Sequence, residues 1–307
     1  MSRPLLIDTD PGIDDALALL MAFEHPDVDV VGLCIAAGNV GLSSTVANAL
    51  KLCEVAGVEV PVFPGCATPL VHAAADASYV HGRDGFGDTG FFPARRAPES
   101  EHAALAMIRL SQRHAGELTL VTLGPMTNLA LALRLDPSLP SRIQRLVVMG
   151  GAVTGQGNTR VPTEFNIGFD PEAAHVVLSA FQRYELVDWE AVLRHGFERS
   201  AFEQWLQAGD HRAAFYAAIS RQTRDWSADR RGERWLCADA LAMAQVLEPS
   251  HGVIDWRPLQ VEMGGDASRG ATVVDWQRRS GQPDTAGILA RYDQRRFEAL
   301  ARLALGA

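Results

Sequence analysis

Across residues 1–150, short β-branched runs alternate with apolar residues at helical spacing, and that rhythm leaves few folds open. Residues 5–8, 28–36, 60–63, 118–123 and 145–149 are predicted strands, and residues 14–24, 42–56, 101–114 and a stretch from Met126 are predicted helices. A helix between two strands carries the chain back to the end it left, so such strands run parallel with right-handed crossovers. The expected fold is α/β: an open, mainly parallel, Rossmann-like sheet flanked by helices, with ligands beyond the carboxyl ends of its strands. After Gly150 the rhythm loosens into a loop rich in Gly, Asn and Thr that runs to Phe169. A helix at 172–179, a strand at 184–188, helical segments within 198–244, strands at 253–261, 272–275 and 288–292, and a last helix at 295–305 complete the prediction. No Pro-rich or Gly/Ser linker and no internal repeat divides the chain, so one domain over residues 1–307 is expected. Residues 65–99 are long for a loop, and loops of that length are either functional or disordered.

Composition removes several classes of function. Apolar residues make up 47% and charged residues 21%, a globular balance. With 37 acids against 28 bases the formal charge is −9, which repels a phosphate backbone, so no nucleic-acid partner is expected. There is no apolar run of about 18 residues, so no membrane partner is expected either. Met1-Ser2-Arg3-Pro4 leads straight into a strand-like segment and leaves no room for a signal peptide, which predicts a cytoplasmic protein. Cys34, Cys53, Cys66 and Cys237 lack the close pairing of zinc or redox motifs; reduced thiols are expected, with Cys34 and Cys53 packed as small hydrophobes.

The densest chemical signal is Asp8-Thr9-Asp10-Pro11-Gly12-Ile13-Asp14-Asp15, four carboxylates in eight residues at the end of the first strand. Pro11-Gly12 forces a turn that places Asp14 and Asp15 in the first turn of a helix, where the dipole favours negative charge, and folds Asp15 back toward Asp10. Crowded carboxylates repel unless they share a cation, and all-oxygen ligands suit a hard ion such as Ca²⁺ or Mg²⁺. The bland alternative is a capped helix with solvated charges. An EF-hand loop starting at Asp8 fails, because its fifth and twelfth places hold Gly12 and Leu19. A haloacid-dehalogenase-like, Mg²⁺-dependent phosphohydrolase also ends its first strand in Asp-x-Asp, but it leaves Asp14 and Asp15 without a task. Gly38-Asn39-Val40 and Gly124-Pro125-Met126-Thr127-Asn128 follow predicted strands, at the ligand edge of a doubly wound sheet. The loop from Gly150 adds Asn158 and Glu164-Phe165-Asn166, polar groups able to bind vicinal hydroxyls.

Taken in order, the Asp8–Asp15 box, Gly38-Asn39-Val40, His81-Gly82-Arg83-Asp84-Gly85-Phe86-Gly87, Gly124–Asn128, Met149-Gly150-Gly151, Glu164-Phe165-Asn166 with Asp170-Pro171-Glu172, and Asp239-Ala240-Leu241-Ala242-Met243-Ala244 resemble the inosine-uridine-preferring nucleoside hydrolase family. A weaker echo lies in residues 269–275, so the resemblance covers nearly the whole chain. It implies Ca²⁺ held by the carboxylates of Asp10, Asp15 and Asp239 and the backbone carbonyl of Leu123, with Asp10 as the catalytic base. It further implies that Asp14, Asn39, Asn158, Glu164, Asn166 and Asp239 hold the ribose hydroxyls and that Met149 lines the ribose pocket. Asp8 receives a supporting role without direct ligand contact. The implied partner is a small-molecule ribonucleoside, and the family implies a homodimer or homotetramer.

Such a constellation matches the chemistry. Cleaving an N-ribosidic bond builds positive charge on the ribosyl ring and negative charge on the departing base, so anionic groups near the sugar and a positioned water both help. One position departs from the family: members that hydrolyse inosine and uridine place a His before the last metal-binding Asp, purine-specific relatives a Trp, and this chain has Ala238. Protonation of the base must then come from elsewhere. His81 is the nearest candidate by motif, with Tyr79, Arg231, Arg234 and Trp235 as further pocket contacts, Trp235 being read equally as a helix residue in the core. The expected function is Ca²⁺-dependent hydrolysis of ribonucleosides with purines slightly favoured; the phosphohydrolase and a catalytically silent nucleoside- or ribose-binding protein are the alternatives.

Overall fold

The computed structural model describes residues 2–307 and, within them, every side chain but those of 229–231. Arg231, a candidate pocket contact, therefore lies outside the described side chains. The first half follows the predicted alternation: β1 (Arg3–Thr9), α1 (Ile13–Glu24), β2 (Val28–Ile35), α2 (Leu42–Ala56), β3 (Val62–Pro64), a one-turn α3 (Ser78–His81), α4 (Ala103–Arg113), β4 (Leu118–Thr122), α5 (Thr127–Leu135) and β5 (Ile143–Met149). There follow α6 (Phe165–Phe169), α7 (Pro171–Ala180), β6 (Tyr184–Val187), α8 (Trp189–Arg194), β7 (Phe197–Glu198), α9 (Arg199–Ala208), α10 (His211–Arg231), β8 (Arg234–Trp235) and α11 (Ala238–Leu247). The chain closes with β9 (Gly252–Arg257), β10 (Leu259–Val261), β11 (Thr272–Val274), β12 (Ala286–Tyr292) and α12 (Gln294–Leu305).

Eight strands form the central sheet in the order β3-β2-β1-β4-β5-β6-β12-β9, open at both edges; every neighbouring pair is parallel except β12 and β9. One face packs on α1, α11 and α12 through Leu17, Leu20, Leu241, Met243 and Phe297, all fully buried; the other packs on α4, α5 and α7 through Met107, Leu129 and Val177. The strand order reverses between β1 and β4. Crossover helices leave on opposite sides of that point, which opens a cleft above the carboxyl ends of β1 and β4. Asp10 follows β1 and Leu123 follows β4, so both lie at the reversal.

Three predictions need correcting. The strand at 253–261 is two strands, because Pro258 has no N–H to donate: β9 closes the main sheet and β10 pairs antiparallel with β11. Between the helical segments of 198–244 lies β8, which pairs with β7, so Trp235 sits on a strand and not on a helix. The one- and two-turn helices α3, α6 and α8 fall where loops or a strand end were expected, being too short to show a helical period.

Candidate active site

Two helix N-termini converge on the cleft. Pro11-Gly12 turns β1 into α1, whose first turn carries Asp14 and Asp15, and Cys237 leads into α11, whose first turn carries Asp239. The positive ends of both helices face the acids and offset part of their repulsion. Successive helical residues point about 100° apart, so Asp14 lines the cleft while Asp15 turns behind it. There Asp15 accepts from the Thr9 hydroxyl, from Gly12 N–H (2.9 Å) and from Asn39 Nδ2 (3.0 Å). Asp14, Asp15 and Asp239 each bring a carboxylate oxygen within 4.8 Å of the others.

Asp10 joins this group through Asn39, whose backbone N–H donates to Asp10 Oδ2 (2.7 Å) and whose side chain donates to the Asp10 carbonyl (3.1 Å). Burial, then the charge of Asp15, pushes the Asp10 carboxyl well above the usual carboxylate range. Asp239 is raised by burial and then by Asp14, Asp15 and Asp10. Asp15 is raised to about 6 by burial and Asp14, with relief from the Thr9 hydroxyl, Gly12 N–H and His81. The principal charges acting on Asp10 and Asp239 are thus other carboxylates, a state that protons or a hard cation must relieve. Buried oxygens at the apex of two helix termini form a donor set suited to a hard divalent ion.

The cleft is lined by Asp14, Asn39, His81, Leu123, Met149, Asn158, Glu164, Asn166 and Asp239, that is, by every site residue expected from the sequence except Asp10 and Asp15, which adjoin it through their hydrogen bonds to Asn39. These groups hold one another. Asn166 Nδ2 donates to the Leu123 carbonyl (2.7 Å) and to the carbonyl and sulfur of Met149 (3.2 and 3.3 Å). Glu164 caps α6, accepting from Asn166 and Ile167 N–H, and also accepts from Gly151 N–H; burial still pushes its carboxyl up to about 7 against those bonds. Asn158 Oδ1 accepts from Phe165 N–H (2.8 Å). His81 Nδ1 accepts from Ile13 N–H (3.1 Å), so the neutral ring carries its proton on Nε2.

Asp8 is apart from the cluster. Its Oδ1 accepts from Asn128 Nδ2 (2.9 Å), and burial pushes the carboxyl up to about 8. Asn128 in turn accepts from Cys66 N–H, while the Asp8 carbonyl accepts from Leu123 N–H (2.8 Å), so Asp8 steadies the segment that presents the Leu123 carbonyl.

The outer wall is aromatic. Trp235, 4% exposed, lines the cleft from β8 with Ala238 beside it, Arg234 and Tyr79 stand at the rim, and Phe165 packs on Phe169. Trp189 and Trp226 also line it and were missed from sequence. Thr223, Trp226 and Ser227 share a face of α10 at i, i+3, i+4 spacing, a visible pattern that does not say which way the face turns. Thr223 Oγ1 donates to the Val80 carbonyl (2.6 Å) and ties α10 to α3, beside His81. Among the described residues no helix is long and apolar enough to cross a membrane.

Comparison with known proteins finds relatives by sequence and by fold. The family model described as inosine-uridine preferring nucleoside hydrolase matches residues 5–299. The probable uridine nucleosidase 1 of Oryza sativa subsp. japonica is 36% identical over 276 residues, covering 88% of this chain and 84% of that protein. A solved plant nucleoside hydrolase superposes with a TM-score of 0.93 at 28% identity over 100% of both chains. A purine-preferring ribonucleoside hydrolase from Gardnerella vaginalis does so with 0.91 at 27% identity, over 99% of this chain and 98% of that one.

Proposed function

The chain belongs to the inosine-uridine preferring nucleoside hydrolase family and is a ribonucleoside hydrolase, and on that premise we propose that it cleaves the N-ribosidic bond with one Ca²⁺ held by Asp10, Asp15, Asp239 and the Leu123 carbonyl. The observation that carries this reading is the meeting of Asp14, Asp15 and Asp239 within 4.8 Å at the base of a cleft lined by amide and carboxylate groups. Bound there, Ca²⁺ would lower the pKa of a water and chelate ribose hydroxyls. Asp10 takes the proton of the water that adds to the anomeric carbon as the bond to the base breaks. Asp14, Asn39, Asn158, Glu164, Asn166 and Asp239 hold the ribose hydroxyls, and Met149 lies against the sugar. Their negative charge favours the cationic ribosyl ring of the transition state.

The departing base leaves with the bonding electron pair and needs a proton, which Ala238 cannot give. His81, with its ring proton on Nε2, is the donor in this reading. Trp189, Trp226 and Trp235 offer flat apolar faces to a base. Purines accept a proton at N7, which supports a preference for them, although the relatives compared include both a uridine nucleosidase and a purine-preferring enzyme. A cytoplasmic homodimer or homotetramer completes the proposal, on family resemblance.

A reducing-sugar assay with inosine, guanosine, adenosine, uridine, cytidine and 4-nitrophenyl riboside, on wild type and His81→Ala, tests it. Ribose release from the nucleosides is expected to fall in His81→Ala by about 10²-fold or more, with nitrophenyl riboside, whose leaving group needs no proton, little affected. Equal losses on all substrates remove the donor role, uridine outpacing inosine removes the purine preference, and no ribose release from any substrate removes the hydrolase.

A further inference from the structure

Trp189 on the cleft wall stands between two buried acids, Asp188 and Glu190, that no step above uses. Asp188 caps α8, its Oδ1 accepting from Glu190 N–H (2.9 Å) and Ala191 N–H (3.1 Å). Glu190 reaches the other way: its Oε1 accepts from the backbone N–H of Gln156 (3.0 Å) and Thr154 (3.3 Å), in the loop between β5 and α6. Asp188 Oδ2 and Glu190 Oε2 are buried and meet no donor, yet the two carboxyls lie within hydrogen-bonding reach of each other. As two anions they would repel where water does not reach. One proton between them removes that repulsion and turns the contact into a hydrogen bond.

We propose that Asp188 and Glu190 share one proton and, as a pair, position the loop of residues 150–164 so that Asn158 and Glu164 meet the ribose. The contacts run without a break. Glu190 holds Gln156; two residues on, Asn158 binds Phe165 N–H and the Glu164 carboxyl. At the other end of the loop, Trp189 N–H donates to the Gly151 carbonyl (2.9 Å). Burial pushes the Asp188 carboxyl up to about 8, with Glu190 adding to the rise and Ala191 N–H and Arg194 opposing it. Burial also acts to raise Glu190, but the Asp188 hydrogen bond and the loop's own donors hold it below the usual range. The proton therefore resides on Asp188. Among what packs on α8 are α11 and β12, whose ionisable side chains are Asp239, Arg291 and Tyr292, and the loop of residues 150–164, whose ionisable side chains are Arg160 and Glu164; none is among the principal charges acting on Asp188. Both residues are positioning residues, and their role rests on the ribose contacts proposed above for Asn158 and Glu164.

Steady-state kinetics with 4-nitrophenyl riboside, which does not ionise, tests the pair from about pH 7 to about pH 10 in wild type, Asp188→Asn and Asp188→Ala. Asparagine keeps the acceptor for the α8 cap and offers Glu190 an N–H that cannot be lost. Wild-type KM is expected to rise roughly tenfold as the shared proton leaves above about pH 8, Asp188→Asn to hold a low KM throughout, and Asp188→Ala to show the raised KM already at neutral pH. An alkaline rise in KM in Asp188→Asn equal to that of wild type, or a KM indifferent to both substitutions, overturns the pair. Absence of turnover in wild type would instead overturn the hydrolase reading on which it rests.

Discussion

The Asp10 carboxylate occupies a slot that two glycines leave open: a Cβ at Gly38 would overlap Oδ2, and one at Gly124 would overlap Oδ1. Any side chain there must displace the group expected to act as base. Asp10→Asn keeps the shape and removes the basicity, so turnover should fall by about 10³-fold or more with the fold intact. Gly38→Ala keeps the base but moves it, and should lose turnover to a similar degree while costing about 1–3 kcal/mol of stability. Steady-state kinetics with chemical denaturation on both variants checks this pair of outcomes; near wild-type turnover in either removes Asp10 from the reaction. At this scale much of the site was legible. Asp8–Asp15 and Asn39 announce themselves by clustering polar groups at or just after strand ends, Glu164-Phe165-Asn166 by its place in a loop rich in Gly, Asn and Thr, and the structure brings the acids and amides of these motifs other than Asp8 to the cleft or against Asn39 on its wall. Trp189 and Trp226 were not legible, because an aromatic residue on a helix reads the same whether it faces a core or a ligand.

The elements were read best where period and punctuation agree. Helix α2 runs from Leu42 to Ala56 as expected, closed by Gly57 at φ 69°, a left-handed turn that suits glycine. The five strands of the first half appear with bounds shifted by one or two residues at most ends. The second half was read less well for physical reasons. β7 and β8 are two residues each, too short for any alternation to register, and their pairing bridges residues 197 and 235. Pro258 splits the predicted strand at 253–261 into strands of two different sheets. Elements of that kind are specified by tertiary partners rather than by local pattern.

For the molecule as a whole, the buried acids couple stability to pH and to cation. Asp8 and Asp188 are raised to about 8, Glu164 to about 7 and Asp15 to about 6, above the usual carboxylate values. Between about pH 4 and those values the folded chain keeps protons that the unfolded chain has released, so stability falls as pH rises through that window. Chelator-treated protein should therefore unfold at a higher temperature at about pH 5 than at about pH 8, and added Ca²⁺ should raise the midpoint more at about pH 8, where it replaces missing protons. Thermal scans in matched buffers check this; a higher midpoint at the alkaline end without cation would show that the cluster is not held protonated. Calcium analysis of the purified chain, with inosine turnover measured before and after chelation, bears most directly on the cleft as a hydrolytic metal centre. About one Ca²⁺ per chain is expected, with ribose release lost on its removal and restored by Ca²⁺ alone, whereas undiminished release by a chain stripped of divalent ions, or recovery with Zn²⁺ only, would contradict it.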